Sequence, residues 1–95
     1  MRTYATLLEL VVDTGATLVE EKFEPEAFGS VCACFSAWNG TQFRLVWDGK
    51  ENVGFLQSLD ATGTWQNEAP FVRERMDGGF SHRPEFTETL NRMAG

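Results

Sequence analysis

The sequence predicts an α+β domain with an N-terminal helix, an antiparallel meander of about four strands and a C-terminal helix packed on the sheet. Three observations support this prediction. Apolar residues recur at helical spacing near both ends of the chain, strongly apolar segments of strand length lie between them, and Asn-Gly and Asp-Gly pairs separate those segments. Residues 1–95 are expected to form a single domain, because this length lies near the lower end of domain sizes.

The first helix is predicted over residues 4–12, where apolar side chains recur every three or four positions. These side chains are Tyr4, Leu7, Leu8, Val11 and Val12. Thr3 is placed to cap this helix and Gly15 to end it. Polar and apolar residues then alternate over 17–23, which predicts an outer strand, and a helix that continues to Lys22 is the alternative.

The middle of the chain predicts the centre of the sheet. Pro25 ends whichever element precedes it. Residues 30–38 are apolar at nearly every position, as is typical of a central strand with both faces covered. Asn39-Gly40 then predicts a two-residue turn into a strand over residues 41–47.

Strand pairing decides which side chains form the core. A two-residue turn at Asn39-Gly40 pairs Cys34 with Leu45. In the next hairpin, a loop of three or five residues keeps the apolar side chains on one face, whereas a two-residue loop at Asp48-Gly49 does not. The longer loop is therefore expected, with its glycine at positive φ. The face expected beneath a helix carries Cys32, Cys34, Trp38, Phe43, Leu45, Trp47, Val53, Phe55 and Leu59.

The opposite face of the predicted sheet is mixed in character. It combines Val31, Ala33, Phe35, Ala37, Val46 and Leu56 with the polar Gln42, Arg44 and Ser58. Such a face is too apolar to be wholly exposed to water, so the C-terminal helix or a second copy of the chain is expected to cover it. Phe35 and Arg44 are the residues of this face that we expect to contact a partner.

The last third of the chain has weaker patterns. Residues 60–70 predict a loop around Trp65, and residues 70–76 predict either a short helix or a fifth strand. A final helix is predicted from about Arg83 or Pro84, since proline suits the first turn of a helix. Its apolar positions are Phe86, Leu90 and Met93.

Composition and charge exclude several classes of function. The net charge is −6, so direct binding to nucleic acid or to an anionic membrane is disfavoured. No apolar run is long enough to span a membrane. The chain starts Met1-Arg2 and then carries Glu9 and Asp13, a pattern unlike that of a secretory signal peptide, and a cytoplasmic location is therefore expected.

Candidate catalytic and metal-binding residues are few. Cys32 and Cys34 are expected to be free core thiols, because Cα atoms two residues apart on a strand are about 6.5–7 Å apart, at or beyond the reach of a disulfide. His82 is the only histidine. Buried thiols have raised pKa values and make poor nucleophiles. The two cysteines and the histidine together are too few for a structural zinc site, which needs four ligands. No catalytic residue, cofactor or metal is expected.

The function expected from the sequence is that of a non-enzymatic acidic protein-binding domain. This expectation fits a bacterial or phage-like inhibitor, or an immunity-type antagonist, that binds a basic partner. The carboxylates that would steer such a partner are Glu20, Glu21, Glu24 and Glu26. Trp65 is expected to contribute affinity. A homodimer formed through the second sheet face is the main alternative, and a small enzyme is the third.

Overall fold

A five-stranded antiparallel sheet and two helices form the fold in the computed structural model, which describes residues 2–77 and 79–94. The elements are α1 (Arg2–Val12), β1 (Thr17–Glu24), β2 (Ser30–Ser36), β3 (Gln42–Asp48), β4 (Val53–Leu59), β5 (Trp65–Arg73) and α2 (Arg83–Ala94). Each strand pairs with the next one along the chain, so the strands lie in the order β1 to β5 across the sheet. The predicted fold class is confirmed, with five strands in the meander.

The N-terminal region forms the predicted helix and outer strand, although the predicted cap is absent. Thr3 lies inside α1 as a buried helical residue, so it does not cap the helix as predicted. Gly15 adopts a φ of 91°, a left-handed conformation that glycine tolerates best, and ends this segment. The chain then enters β1, a strand on the edge of the sheet. The predicted outer strand is therefore confirmed, and the alternative helix through Lys22 is wrong.

The core lies between the two helices and one face of the sheet. The buried helical side chains include Tyr4, Leu7, Val11, Phe86, Leu90 and Ala94, and the buried sheet side chains include Val31, Ala33, Phe35, Phe43, Leu45, Trp47, Leu56 and Val72. Phe35 and Phe43 are paired across β2 and β3, and their rings stack with centroids 5.6 Å apart. Leu7 of α1 packs so closely on Gly54 that a Cβ atom built on this glycine would lie 2.6 Å from Leu7 Cδ1.

The turn between β2 and β3 differs from the predicted two-residue turn. The backbone N–H of Gly40 donates to the carbonyl of Ala37, and Gly40 adopts a φ of 86°. This arrangement is typical of a three-residue hairpin loop whose last residue is a glycine in the left-handed region. Leu45 therefore pairs with Ala33 rather than with Cys34. The predicted pairing was wrong by one residue.

The loop between β3 and β4 also differs from the prediction. Leu45 pairs with Leu56, which leaves a loop of even length where an odd one was expected. The residue at positive φ is Asn52, at 56°, and not Gly49. The Asp48 carboxylate accepts hydrogen bonds from two backbone N–H groups of this loop, at 3.0 and 3.2 Å. These bonds support the turn that the Asp-Gly pair predicted.

Gly49 is required for space rather than for its backbone conformation. A Cβ atom built at Gly49 would lie 2.0 Å from the carbonyl oxygen of Phe28. Its backbone N–H donates to Ser30 Oγ at 3.0 Å. The absence of a side chain thus allows the β3–β4 loop to lie against the turn between β1 and β2.

The two corrected loops change the faces of β2 and β4 but leave β3 as predicted. Phe43, Leu45 and Trp47 remain in the core. Phe35 and Leu56 move into the core from the face where they were predicted. The residues predicted in the core that instead lie partly or largely exposed are Cys32, Cys34, Trp38, Phe55 and Leu59. A one-residue change in register exchanges the two faces of a strand, and both strands show this exchange.

The last strand begins earlier than predicted. Trp65 is the first residue of β5 and does not lie in a loop. The turn before it is organised by Asp60, whose pKa is lowered to about 2 by hydrogen bonds from the Thr62 hydroxyl, the backbone of Thr64 and the side chain of Gln66. The stabilisation from Asp60 is present above its ordinary pKa range and is lost as the pH falls through about 2. β5 continues to Arg73, and Glu74 forms a bridge with Phe80, so the helical alternative for 70–76 is wrong.

The register leads to a direct mutational prediction. Leu56→Ala should lower the free energy of unfolding by about 2–5 kcal/mol, because it creates a cavity at a side chain that is only 1% exposed. Phe55→Ala should cost less, about 1–2 kcal/mol, because Phe55 lies half-buried on the other face. Urea denaturation of both variants measures the difference. A larger loss for Phe55→Ala than for Leu56→Ala would contradict the observed register.

Candidate functional site

One face of the sheet is covered by neither helix, and we call it the open face. Along β2 and β3, alternate side chains are fully buried on the helical side and only half-buried on the other. The central residues of the open face are Cys32, Cys34, Arg44, Val46, Phe55, Gln57, Trp65 and Phe71. Within the described part of the chain, the open face is therefore a surface of the sheet that has no protein layer against it.

Two cross-strand rows define the chemistry of the open face. The polar row runs across the sheet through Glu20, Cys34, Arg44, Gln57 and Asn67. The apolar row runs through Lys22, Cys32, Val46 and Phe55. Phe71 of β5 extends the apolar row, since its ring stacks on Phe55 with centroids 4.7 Å apart. The open face thus has an apolar centre beside a hydrogen-bonded strip.

Arg44 is held in place by its neighbours on the open face. Its guanidinium lies 4.2 Å from the centroid of the Trp65 ring, in cation–π geometry. Its Nε donates to Gln57 Oε1 at 2.5 Å, and Gln57 Nε2 donates in turn to Asn67 Oδ1 at 2.6 Å. These contacts fix the orientation of a half-buried cation and of the indole beneath it. The surface therefore presents groups that are ordered before any partner binds.

Both cysteines lie on the open face, which corrects their predicted place beneath a helix. Cys32 and Cys34 are free and half-buried. Burial raises the pKa of the Cys32 thiol, and the nearby Arg44 guanidinium offsets only part of this effect. A catalytic cysteine requires a lowered pKa. The environment of Cys32 therefore favours a neutral thiol that acts as a small apolar side chain.

The histidine is separated from the thiols by the sheet. His82 directly precedes α2, which packs on the helical side of the sheet, and its Nδ1 lies 3.6 Å from Glu85 Oε2. It therefore does not complete a dyad with Cys32 or Cys34. Within residues 2–77 and 79–94, no three His, Cys, Asp or Glu side chains are grouped so as to hold a metal ion.

Two small grooves lie on the open face. One groove of about 160 Å³ is bordered by Lys22, Cys32 and Val46, and another of about 110 Å³ is bordered by Cys34 and Trp65. Sites for small organic ligands usually measure about 300–1,000 Å³. These grooves suit individual side chains of a partner better than a whole small molecule.

The acidic residues predicted to steer a partner do not form one patch. They are Glu20, Glu21, Glu24 and Glu26, on β1 and in the short turn that follows it. Glu20 lies at the margin of the open face, whereas Glu21 lies on the helical side and accepts a hydrogen bond from the Tyr4 hydroxyl. Glu24 forms an ion pair with Lys22 at 3.4 Å. These carboxylates are therefore distributed over both faces of β1 and the turn that follows it.

Of the other predicted partner-binding residues, Arg44 and Trp65 lie together on the open face, whereas Phe35 does not lie on the surface. Arg44 and Trp65 are in direct contact on the open face. Phe35 is 1% exposed inside the core and has no surface to offer a partner. Phe55 and Phe71 were not predicted as surface residues. The face on which Phe55 lies depends on the length of the β3–β4 loop, and Phe71 lies on the same face because its ring stacks on Phe55. No sequence pattern within that loop indicated its length.

Comparisons with protein-family models, with curated proteins and with solved structures found no match to this chain. Neither helix in the described part of the chain is long and apolar enough to cross a membrane. The functional interpretation therefore depends on the geometry and chemistry of the open face.

The thiol environment gives a prediction that depends on pH. In the Cys34→Ser variant, Cys32 should react with a thiol reagent more slowly than a free cysteine at about pH 7, because its raised pKa leaves less thiolate. The reaction should continue to accelerate at a pH where a free thiol has already reached its plateau. Mass spectrometry of samples quenched over a pH series measures the rate, with the urea-unfolded variant as control. Equal rates in the folded and unfolded protein would contradict the prediction.

Proposed function

We propose that this chain is a non-enzymatic protein-binding domain and that the open face is its binding surface. The observation that carries the proposal is the apolar cluster of Val46, Phe55 and Phe71, which no element in the described part of the chain covers. Phe71 alone is 46% exposed. Contiguous apolar patches of several hundred Å² are uncommon on monomeric proteins and usually mark interfaces.

The arrangement of the polar groups supports recognition of a protein rather than simple adhesion. Trp and Arg are among the residue types that most often dominate binding energy at protein interfaces. Trp65 and Arg44 are stacked on each other, and Gln57 holds the guanidinium from the side. A partner would therefore restrict little side-chain freedom when it packs on this pair.

Other properties are consistent with a binding role. The net charge of −6 disfavours nucleic acid as the partner. The raised pKa of the Cys32 thiol makes it a poor nucleophile, which disfavours cysteine-based catalysis at the open face. An inhibitor or immunity-type antagonist that acts in the cytoplasm is one role that such a domain fits.

The proposal is tested by capture of partners with matched surface variants. Phe71→Glu places a charge in the apolar row of the open face, whereas Trp38→Glu changes a side chain that is 81% exposed in the β2–β3 loop, away from that row. Tagged wild type and both variants are expressed in cells that also carry an untagged copy, and captured proteins are quantified by mass spectrometry.

The wild type and Trp38→Glu should retain the same partner, and Phe71→Glu should lose it by about tenfold, since a charge in a dry interface typically costs more than 1.4 kcal/mol. Equal urea midpoints for the three proteins show that the fold is intact. A partner that Phe71→Glu retains in full would show that binding uses another surface.

A further inference from the structure

We infer that the open face binds a second copy of this chain, so that two sheets pack face to face in a symmetric dimer. This inference rests on the proposed function, because it names the partner of the same surface. Three observations carry it: the charge of the open face, its apolar centre and its size.

The charges on the open face and its rim cancel. They are Glu20, Lys22, Glu24, Arg44, Asp48 and Arg73, by the alternation of side chains along β1, β3 and β5. These are three of the fourteen acidic and three of the eight basic side chains of the chain. The other eleven acidic and five basic side chains carry the whole net charge of −6.

A neutral surface of mixed sign selects against strongly charged partners. A basic protein would be attracted to the acidic surfaces elsewhere on the domain and would gain little on the open face. A second copy of the open face brings no excess of like charge, and cations such as Arg44 meet a surface that also carries carboxylates such as Glu20. The charge pattern is therefore compatible with itself, as a two-fold symmetric interface requires.

The apolar row gives the two copies a common centre. In a two-fold interface the same patch is used on both sides, so Val46 and Phe55 of one copy would lie near the same cluster of the other. Sheets that pack face to face are about 10 Å apart, a distance filled by the side chains of both faces. Side chains that are half-buried in the single chain would then become fully buried.

The size of the face matches a small but specific interface. Five strands about 4.8 Å apart, each at least seven residues long, at about 3.3 Å per residue, span about 24 by 23 Å. Two such faces would bury on the order of 1,100 Å² in total, near the lower limit for specific association. The dimer is therefore expected to dissociate on dilution.

The sheet edges are poor alternatives for self-association. β1 has an irregular register between Leu18 and Glu20, and an edge strand with a bulge and several charges pairs badly with another strand. β5 contains Pro70, and the chain beyond it pairs back, since the N–H of Ser81 donates to the carbonyl of Arg73 at 2.8 Å. Association through the open face is thus favoured over extension of the sheet.

The inference is tested on the purified protein by sedimentation equilibrium from about 1 to about 500 µM. The apparent mass should rise with concentration from 10.7 kDa towards twice that value. Phe71→Glu and Val46→Lys should each raise the dissociation constant by at least about tenfold, and Trp38→Glu should leave it unchanged. Added salt should strengthen the dimer, because it screens the repulsion between two chains of charge −6.

Thiol labelling of the wild type provides a measurement that needs no variant. Cys32 and Cys34 lie in the two central rows of the open face, so the dimer should bury them. Their labelling rate should fall at least about fivefold between the lowest and highest protein concentrations, by mass action on the dimer. This readout locates the interface even if a charged variant fails to fold.

Two results would overturn the inference. The first is a wild type that stays monomeric at every concentration. The second is a dimer whose labelling rates do not change with concentration, since such a dimer would use another surface. In either case, capture of a different protein that Phe71→Glu loses would leave the proposed function intact. If the wild type neither self-associates nor captures a protein that Phe71→Glu loses, the proposed function is rejected as well.

Discussion

The pairing register of β2, β3 and β4 is the constraint on which the rest of the structure depends. Side chains alternate along a strand, so each hairpin loop decides which alternate set points to the helices. The loops before and after β3 place Phe35, Leu45 and Leu56 together on one side. A change of one residue in either loop would turn the buried apolar side chains of β2 or of β4 towards water.

The two helices complete only one side of this arrangement. α1 has 11 residues and α2 has 12, and their buried side chains contact the same face of the sheet. No further α-helix is present in residues 2–77 and 79–94 to form a third layer. The same register that builds the core therefore leaves Val46, Phe55 and Phe71 on the open face. The candidate binding surface is a direct consequence of how the core is formed.

Local patterns predicted the elements of the fold well. The apolar spacing of α1 and α2 and the alternation in β1 are properties of short segments, and each of these segments adopts the predicted structure in the domain. Trp65 was the main local error. Its neighbours are polar and include Asp60, which favours a turn, but the pairing of Trp65 with Leu59 extends the sheet to that position.

The register and the composition of the open face were beyond local patterns. Asn39-Gly40 suits a two-residue turn, yet the chain forms a three-residue turn that brings Phe35 opposite Phe43. This stacked pair is a non-local contact, and nothing within the turn itself indicates it. Arg44 and Trp65 were identified as partner-binding candidates because of their residue types. Phe35 was misplaced because its face depends on the turn.

The most direct test of the account is an NMR measurement of cross-strand nuclear Overhauser effects between backbone protons of β2, β3 and β4. The account predicts that Leu45 shows these effects with Ala33 on one side and with Leu56 on the other. Cross-strand effects that instead pair Leu45 with Cys34 and with Phe55 would contradict it. They would place the cysteines and Phe55 beneath the helices and remove the open face as described.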